Sequence, residues 1–482
     1  MITKLFSFFF FSSMLAMSQV QLGDDLNGFE TNAEFGKSIS MSEDGSRVAI
    51  SAPRTHQSSS GYVEVYEYDG NSWNILGNRI NGETYFGGSI SINASGDILV
   101  ASTREKDLTA PPWRDSVVEV FRYTSGSWER IGDMIRLESL ALAQDRIPVS
   151  INAEGNTIAV GITAFQEVRV FENINDNWVQ KGESLFGTAN HPEFSEDVEI
   201  SANGNRIAVG DSDYDSYRGY VQVFEFQNGS WQQVGQNIVN PNQGVTGKCG
   251  FPVDINSDGT IIAMQCPRGA GGSNGVNIVF EEQNGVWAQM GGNILNSPGP
   301  TGTVNGISLN NNGKVIAIGN TYWKGFVTVF QYLEQEWVQV NDQITGNGFG
   351  DDMGRGVAIS GSGEIVAAGA PGMTTPNGTN SGLARMYSFD IDPTILSTPL
   401  VPNKTLLIYP NPSSGPFNLK FTQEGAFEIN IYDFSGRKVY FKKLLGNESE
   451  HLLSIPTLNN GIYILELTTG SSSLSQKIVV HK

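Results

Sequence analysis

Apolar and polar residues alternate in short runs along most of this chain, and glycine turns break each run. One unit recurs seven times. It starts with an alternating strand, passes a Gly-containing turn and continues into a strand rich in Ala, Val and Ile. The first copy runs from Ser38 to Ile50, and its turn glycine is Gly45. The others are Gly96, Gly155, Gly204, Gly259, Gly313 and Gly363, spaced 51, 59, 49, 55, 54 and 50 residues apart. A third strand follows in each copy, such as Tyr62 to Tyr68. A tight turn and a tryptophan then open a fourth strand in six copies, at Trp73, Trp128, Trp178, Trp231, Trp287 and Trp337. Four strands per period of about 50 residues predict a propeller blade. The expected fold is all-β, a seven-bladed β-propeller over residues 19–390.

The seventh copy lacks its tryptophan strand and runs out near Asp390. Val20 to Gly28 (VQLGDDLNG) matches Val338 to Gly346 (VQVNDQITG), so the N-terminal segment is expected to close the last blade. Six of the eight tryptophans share one repeat position, which reads as packing between blades rather than a ligand site. The cysteines, Cys249 and Cys266, flank the turn Asn256-Ser257-Asp258-Gly259. Folding about Ser257 and Asp258 sets them opposite each other, so a disulfide is expected, with two buried thiols as the alternative.

Residues 1–18 read as an export signal: Lys4, an apolar run from Leu5 to Met17, then Ala16-Met17-Ser18 before Gln19. That run is too short for a bilayer span, and no later segment reaches 18 apolar residues, so no transmembrane segment is expected in the mature chain. Composition changes after Asp390. Asp392-Pro393, Thr398-Pro399 and Val401-Pro402 mark a linker over 391–404, and short strands fill 405–482.

Two resemblances follow. Phe35-Gly36, Phe86-Gly87 and Phe349-Gly350 open repeats, Ala52-Pro53 closes the first, and Gly369-Ala370-Pro371 closes the last. These residues resemble the FG-GAP repeats of integrin α-chain propellers. The tail carries Leu407-Ile408-Tyr409-Pro410-Asn411-Pro412, Ile431-Tyr432-Asp433, Gly436-Arg437, Leu458, Gly461-Ile462-Tyr463 and Lys477-Ile478-Val479-Val480. It resembles the type A C-terminal sorting domain of the Bacteroidetes type IX secretion system. That resemblance implies a small Ig-like β-sandwich, with Tyr409, Pro410, Asn411, Pro412, Gly436, Arg437, Gly461, Tyr463 and Lys477 as its sorting residues. It also implies the secretion machinery as partner and delivery to the outside or the cell surface, usually with loss of the tail. An ordinary Ig-like binding module is the alternative for this segment.

The formal charge of −20 changes the list of partners. Residues 405–482 hold 7 basic and 6 acidic residues, so the whole negative excess lies before them. This argues against nucleic acid as a partner, because phosphate contacts need clustered Lys and Arg.

Catalytic patterns are sparse. His56 and His191 stand alone in loops, and neither a G-x-S-x-G elbow nor a phosphate-binding glycine loop occurs. Channel carboxylates could serve a glycoside hydrolase or lyase, but sequence selects no pair. Calcium is the one cofactor raised. Asp211, Asp213 and Asp215 alternate as oxygen ligands do, but Ser216 stands where a turn glycine belongs, and Gly219 and Gln222 stand where a later acid belongs. Variable loops after the second strands are expected on one face. They carry Trp113 and Trp323, which could stack on a sugar or anchor a protein. Arg54, Arg104 and Arg268 fall at similar repeat positions and could receive an anion, with ordinary surface salt bridges as the plainer reading. The functional expectation is an exported, non-catalytic binding or adhesion protein for a glycan or surface protein. A glycan-degrading enzyme and a structural envelope component are the alternatives.

Overall fold

The computed structural model describes residues 19–53, 60–106, 114–137, 147–187, 194–241, 247–267, 275–295, 306–340, 342–389, 391, 406–409, 417–421, 425–433, 437–446, 451–455, 458–469 and 472–480. The export signal and nearly all of the 391–404 linker lie outside them. The chain divides into two compact units, Met1–Leu396 and Ser397–Lys482.

In the first unit every repeat is an antiparallel meander. A short first strand (Ile39–Met41 in the first repeat) pairs with a second (Arg47–Ala52), which pairs with a third (Ser60–Tyr68), which pairs with a fourth (Trp73–Ile75). The first and second repeats share one sheet through the pairing of Thr84 with Arg104, and the remaining repeats form separate sheets of four or five strands.

The turn between the first two strands explains the repeating sequence. Three residues before each turn glycine stands a Ser or Asn. Its side-chain oxygen accepts the amide that opens the second strand: Ser42 from Arg47 at 2.9 Å, Asn93 from Ile98 at 2.9 Å, Asn256 from Ile261 at 2.7 Å and Asn310 from Val315 at 2.9 Å. Gly45 itself has φ +72°, and a Cβ there would meet Ile365 Cδ1 at 2.8 Å, so both backbone and neighbour demand glycine.

These turns also lock to one another. The amide of Glu43 donates to the Ala94 carbonyl, Ala94 to Ala153, Ala153 to Ala202, Ala202 to Ser257, Ser257 to Asn311 and Asn311 to Gly361, all at 2.9–3.1 Å. Gly361 then donates back to Glu43 at 2.7 Å. The chain of bonds is a closed circle, so the repeats form a ring.

The outer edges are latched by the repeated tryptophans. Each indole N–H donates to a carbonyl near the fourth strand of the preceding repeat: Trp128 to Leu76 at 2.8 Å, Trp178 to Ile131 at 3.3 Å, Trp231 to Lys181 at 2.9 Å, Trp287 to Val234 at 2.9 Å and Trp337 to Met290 at 2.9 Å. Trp73 donates to Leu22 at 3.0 Å, a residue of the N-terminal segment. That segment takes the place of the missing strand. Gln19–Gln21 pairs with Leu383–Phe389, and Val20 faces Ser388 as Val338 faces Gln331 one repeat earlier. Arg385 clamps it with a bidentate bond to Asp25, at 2.9 and 2.8 Å. Apolar layers fill the spaces between repeats; Val63, Val65, Leu99, Ala101, Phe121 and Trp128 form one of them.

Two details of the sequence reading are corrected. Cys249 and Cys266 are joined, with S–S 2.06 Å, but they are not opposed in the hairpin. Val253 faces Met264, so the register sets Cys266 two positions from Cys249, which lies in the loop beside Gly219. The error lay in centring the turn on Ser257 and Asp258 instead of one residue later. The second correction concerns Phe349-Gly350. The position opened by Phe35 is filled in the seventh repeat by Met353: Phe35 bridges Gly382, and Met353 bridges Gly325 in the same way. Met353 is fully buried like Phe35, Phe86 and Phe194, whereas Phe349 lies four residues earlier and is 86% exposed.

The second unit has two antiparallel sheets. One holds Leu406–Tyr409, Phe417–Phe421 and His451–Ile455; the other holds Lys438–Gly446, Gly425–Asp433, Gly461–Thr469 and Ser472–Val480. Alternate residues Ile429, Ile431, Leu465 and Leu467 are buried, the period expected of strands with one covered face. Among the described residues, no helix is long and apolar enough to cross a membrane.

Candidate functional site

One face of the ring carries the loops that enter the first strands and leave the second strands. There, Trp323 is 62% exposed, with Tyr322 beside it in sequence and Phe349 close by. Trp323 sits at a turn with φ +62°, and its carbonyl accepts the Gly350 amide at 2.8 Å. Gly346 donates to Gly325 at 3.1 Å, and the Asp351 carboxylate accepts the amides of Asn347 and Gly348 at 2.7 and 2.6 Å. The two loops are thus tied together by backbone bonds, and their rings are held outward. Three aromatic side chains presented this way form a ready surface for stacking or for an apolar anchor.

The other predicted contacts of this face are less visible. Trp113, Arg54, Arg268, His56 and His191 lie outside the described residues. Arg104 is in strand Ile98–Lys106, where its backbone faces Ser116 and Thr84. Of the three candidate cation ligands, Asp213 pairs with Lys248 at 2.7 Å and Asp215 with Arg218 at 3.1 Å, while Asp211 is buried at the end of its strand. Among the described residues, no group of three His, Cys, Asp or Glu side chains is arranged to hold a metal.

The axial channel holds a feature that sequence reasoning missed. Five residues before each turn glycine lies a first-strand residue that lines the axial channel. The series is Ser40, Ser91, Ser150, Glu199, Asp254, Ser308 and Ala358. Glu199 and Asp254, with Asp197, form a cluster of carboxylates in a chamber of about 200 Å³ whose lining also includes Lys37 and Arg355. Aligning the repeats on their glycines would have exposed the substitution of acids for serines.

The serines show what these positions do. Neighbouring first strands do not pair with one another, and side chains bridge them. Ser40 accepts the Ile92 amide at 3.0 Å, and Ser150 accepts that of Ile200 at 3.2 Å. The acids make the same stitch: Asp197 accepts from Val253 at 3.0 Å and Asp254 from Leu309 at 2.6 Å. Ser150 Oγ donates to Glu199 at 2.7 Å. Burial, reinforced by the charges of Asp254 and Asp197, holds the Glu199 carboxyl well above the usual range. Burial pushes Asp254 up to about 7; the Leu309 and Ile255 amides oppose this, and the Asp197 charge adds to it.

In the tail, Arg437 forms an exposed ion pair with Asp433 at 3.0 Å, and buried Tyr463 donates to the Asn459 carbonyl at 2.9 Å. Tyr409 ends a strand, Gly461 begins one, and Lys477 lies in the last strand; Pro410, Asn411, Pro412 and Gly436 fall outside the described residues.

A ring of antiparallel meanders around an axial channel defines the first unit as a β-propeller-like protein. The second unit gives the address. Residues 407–481 match the family described as the secretion system C-terminal sorting domain. The chain is therefore exported through the type IX secretion system to the cell surface or extracellular space. The comparison with curated proteins gave no match. Among solved structures, the β-propeller domain of Cps50 (Swd1) from Myceliophthora thermophila is 10% identical, with TM-score 0.49, covering 76% of this chain and 99% of that one. A Lactobacillus plantarum protein is 11% identical, with TM-score 0.49, covering 85% and 99%. A candidate 6-phosphogluconolactonase from Bacteroides uniformis is 15% identical, with TM-score 0.47, covering 65% and 86%. Likeness at this level carries no argument about chemistry.

Proposed function

We propose that this is an exported, non-catalytic binding protein: a seven-bladed, FG-GAP-like propeller delivered by an Ig-like sorting domain. Its loop face holds a glycan or a surface protein. The observation that carries the reading is the exposed trio Tyr322, Trp323 and Phe349 on loops fixed by backbone hydrogen bonds. Rigid aromatic anchors give contact area at little entropic cost. Two of the channel acids, Asp197 and Asp254, favour a structural role over a catalytic one, because each accepts an amide of the next repeat as serine does elsewhere, and Glu199 accepts the Ser150 hydroxyl. The test is retention of the full chain on immobilised polysaccharides and on envelope-protein matrices. Trp323→Ala with Phe349→Ala should weaken retention by about tenfold or more. Unchanged retention on every matrix that holds the parent would remove the loop face from the function.

A further inference from the structure

The flank of the ring between the fifth and sixth repeats contains a cavity of about 240 Å³. We propose that it binds one small neutral, hydroxyl-rich molecule, of the class of an uncharged monosaccharide. This goes beyond the loop-face reading and does not depend on it.

The comparison among repeats carries the inference. The middle of the third strand has one outer-flank position in every repeat, fixed by its pairing with the second strand. The residues there are Glu64, Glu119, Arg169, Gln222, Ile278, Thr328 and Arg385. Four of these fill the space with an ion pair: Glu64 with Arg79 at 2.8 Å, Glu119 with Arg130 at 3.3 Å, Arg169 with Glu167 at 2.7 Å and Arg385 with Asp25 at 2.8 Å. Gln222 fills it by bonding Gln233 and Asn237, at 3.2 and 3.0 Å. Ile278 fills it with an aliphatic side chain. Thr328 is the smallest of the seven, and the cavity lies where the longer side chains reach.

The lining then selects the ligand. Asn277, Asn293, Asn320, Thr328, Gln339 and Gln343 supply amide and hydroxyl groups. Phe330 and Trp337 supply aromatic wall. Among the described residues that line it, none is ionisable, although the chain carries 50 acidic residues. A charged ligand would find no counter-charge, and a purely apolar one would leave the polar part of the lining unused. A ring bearing several hydroxyls pairs donor with acceptor and offers C–H faces to the aromatic wall. The cavity is below the roughly 300–1,000 Å³ of drug-sized sites, so it fits one ring rather than an oligomer.

The test uses the full chain and isothermal titration with glucose, galactose, mannose and N-acetylglucosamine, and with glucuronate and glucose 6-phosphate as charged counterparts. At least one neutral sugar should bind saturably with a roughly millimolar Kd, and the charged ones about tenfold more weakly or not at all. Thr328→Leu fills the cavity with a side chain of the kind the fifth repeat carries, and should abolish that binding. Asn293→Ala, a partly exposed truncation, should weaken it about tenfold if Thr328→Leu destabilises the chain. Trp323→Ala should leave it unchanged, which separates this site from the loop face. No saturable binding of any neutral sugar, or binding that survives both flank variants, would overturn the proposal.

Discussion

Replacing Asp254 by Asn tests the physical state of the axial channel. Its carboxyl is pushed up to about 7 from an ordinary 3.8, with burial as the main cause. A carboxyl with a raised native pKa binds more protons folded than unfolded between those values. Stability contributed by this group therefore falls as pH rises from about 4 to about 7 and levels off above that. A pKa rise of that order corresponds to a few kcal/mol, at about 1.36 kcal/mol per pH unit, spread over the neighbouring acids Asp197, Glu199 and Asp254. Asn removes this charge but keeps only one acceptor for the two amides, Leu309 and Ile255, that Asp254 serves. The unserved amide costs roughly 1–3 kcal/mol. The variant should thus be less stable than the parent at pH 4.5 and equal or more stable at pH 8. The difference between the two values of ΔΔG should be roughly 2–4 kcal/mol. Urea unfolding followed by tryptophan fluorescence gives this directly, because all eight tryptophans lie before the tail. A ΔΔG constant to within about 0.5 kcal/mol across that range would mean that Asp254 titrates like a solvated acid, and the channel argument would fail.

The clamp that closes the ring has the opposite pH signature. Burial raises the Asp25 carboxyl, but Arg385 and Gln21 outweigh it and leave it below the usual range, so its contribution is present above about pH 4 and lost in acid. Asp25→Asn should cost roughly 1–3 kcal/mol at pH 7, with a smaller loss near pH 3, as read by urea midpoints. Deleting residues 19–28 removes the paired strand itself and should lower the thermal midpoint markedly; a deletion protein melting like the parent would contradict the closure. Trp128→Phe removes the indole bond to Leu76 from a buried site and should cost roughly 1–3 kcal/mol at any pH.

The repeat frame was legible because its signals are local. A glycine with positive φ, a Ser or Asn three residues earlier and a tryptophan at the fourth strand each do a backbone or latching task that few other residues can do. The closing strand was legible from the match of Val20 to Gly28 with Val338 to Gly346, since register follows the alternating pattern. Hairpin register around Cys249 was misjudged by two positions, because a six-residue cap around Gly259 can be centred in more than one way. Phe349 was misread for a related reason. Phe-Gly near a strand looks alike whether the ring is buried, as Phe35 is, or turned outward, and only the bridge from Met353 to Gly325 decides. The channel acids and the flank cavity depend on what neighbouring repeats place opposite them, which no single repeat encodes.

The functional reading is tested most directly by incubating the full chain with a panel of marine and host polysaccharides and envelope proteins, measuring retention and new reducing ends together. Retention on at least one matrix, without new reducing ends, is the expected result. Reducing ends that appear with the parent and vanish with Glu199→Gln would contradict it, and would make the channel acids catalytic rather than structural.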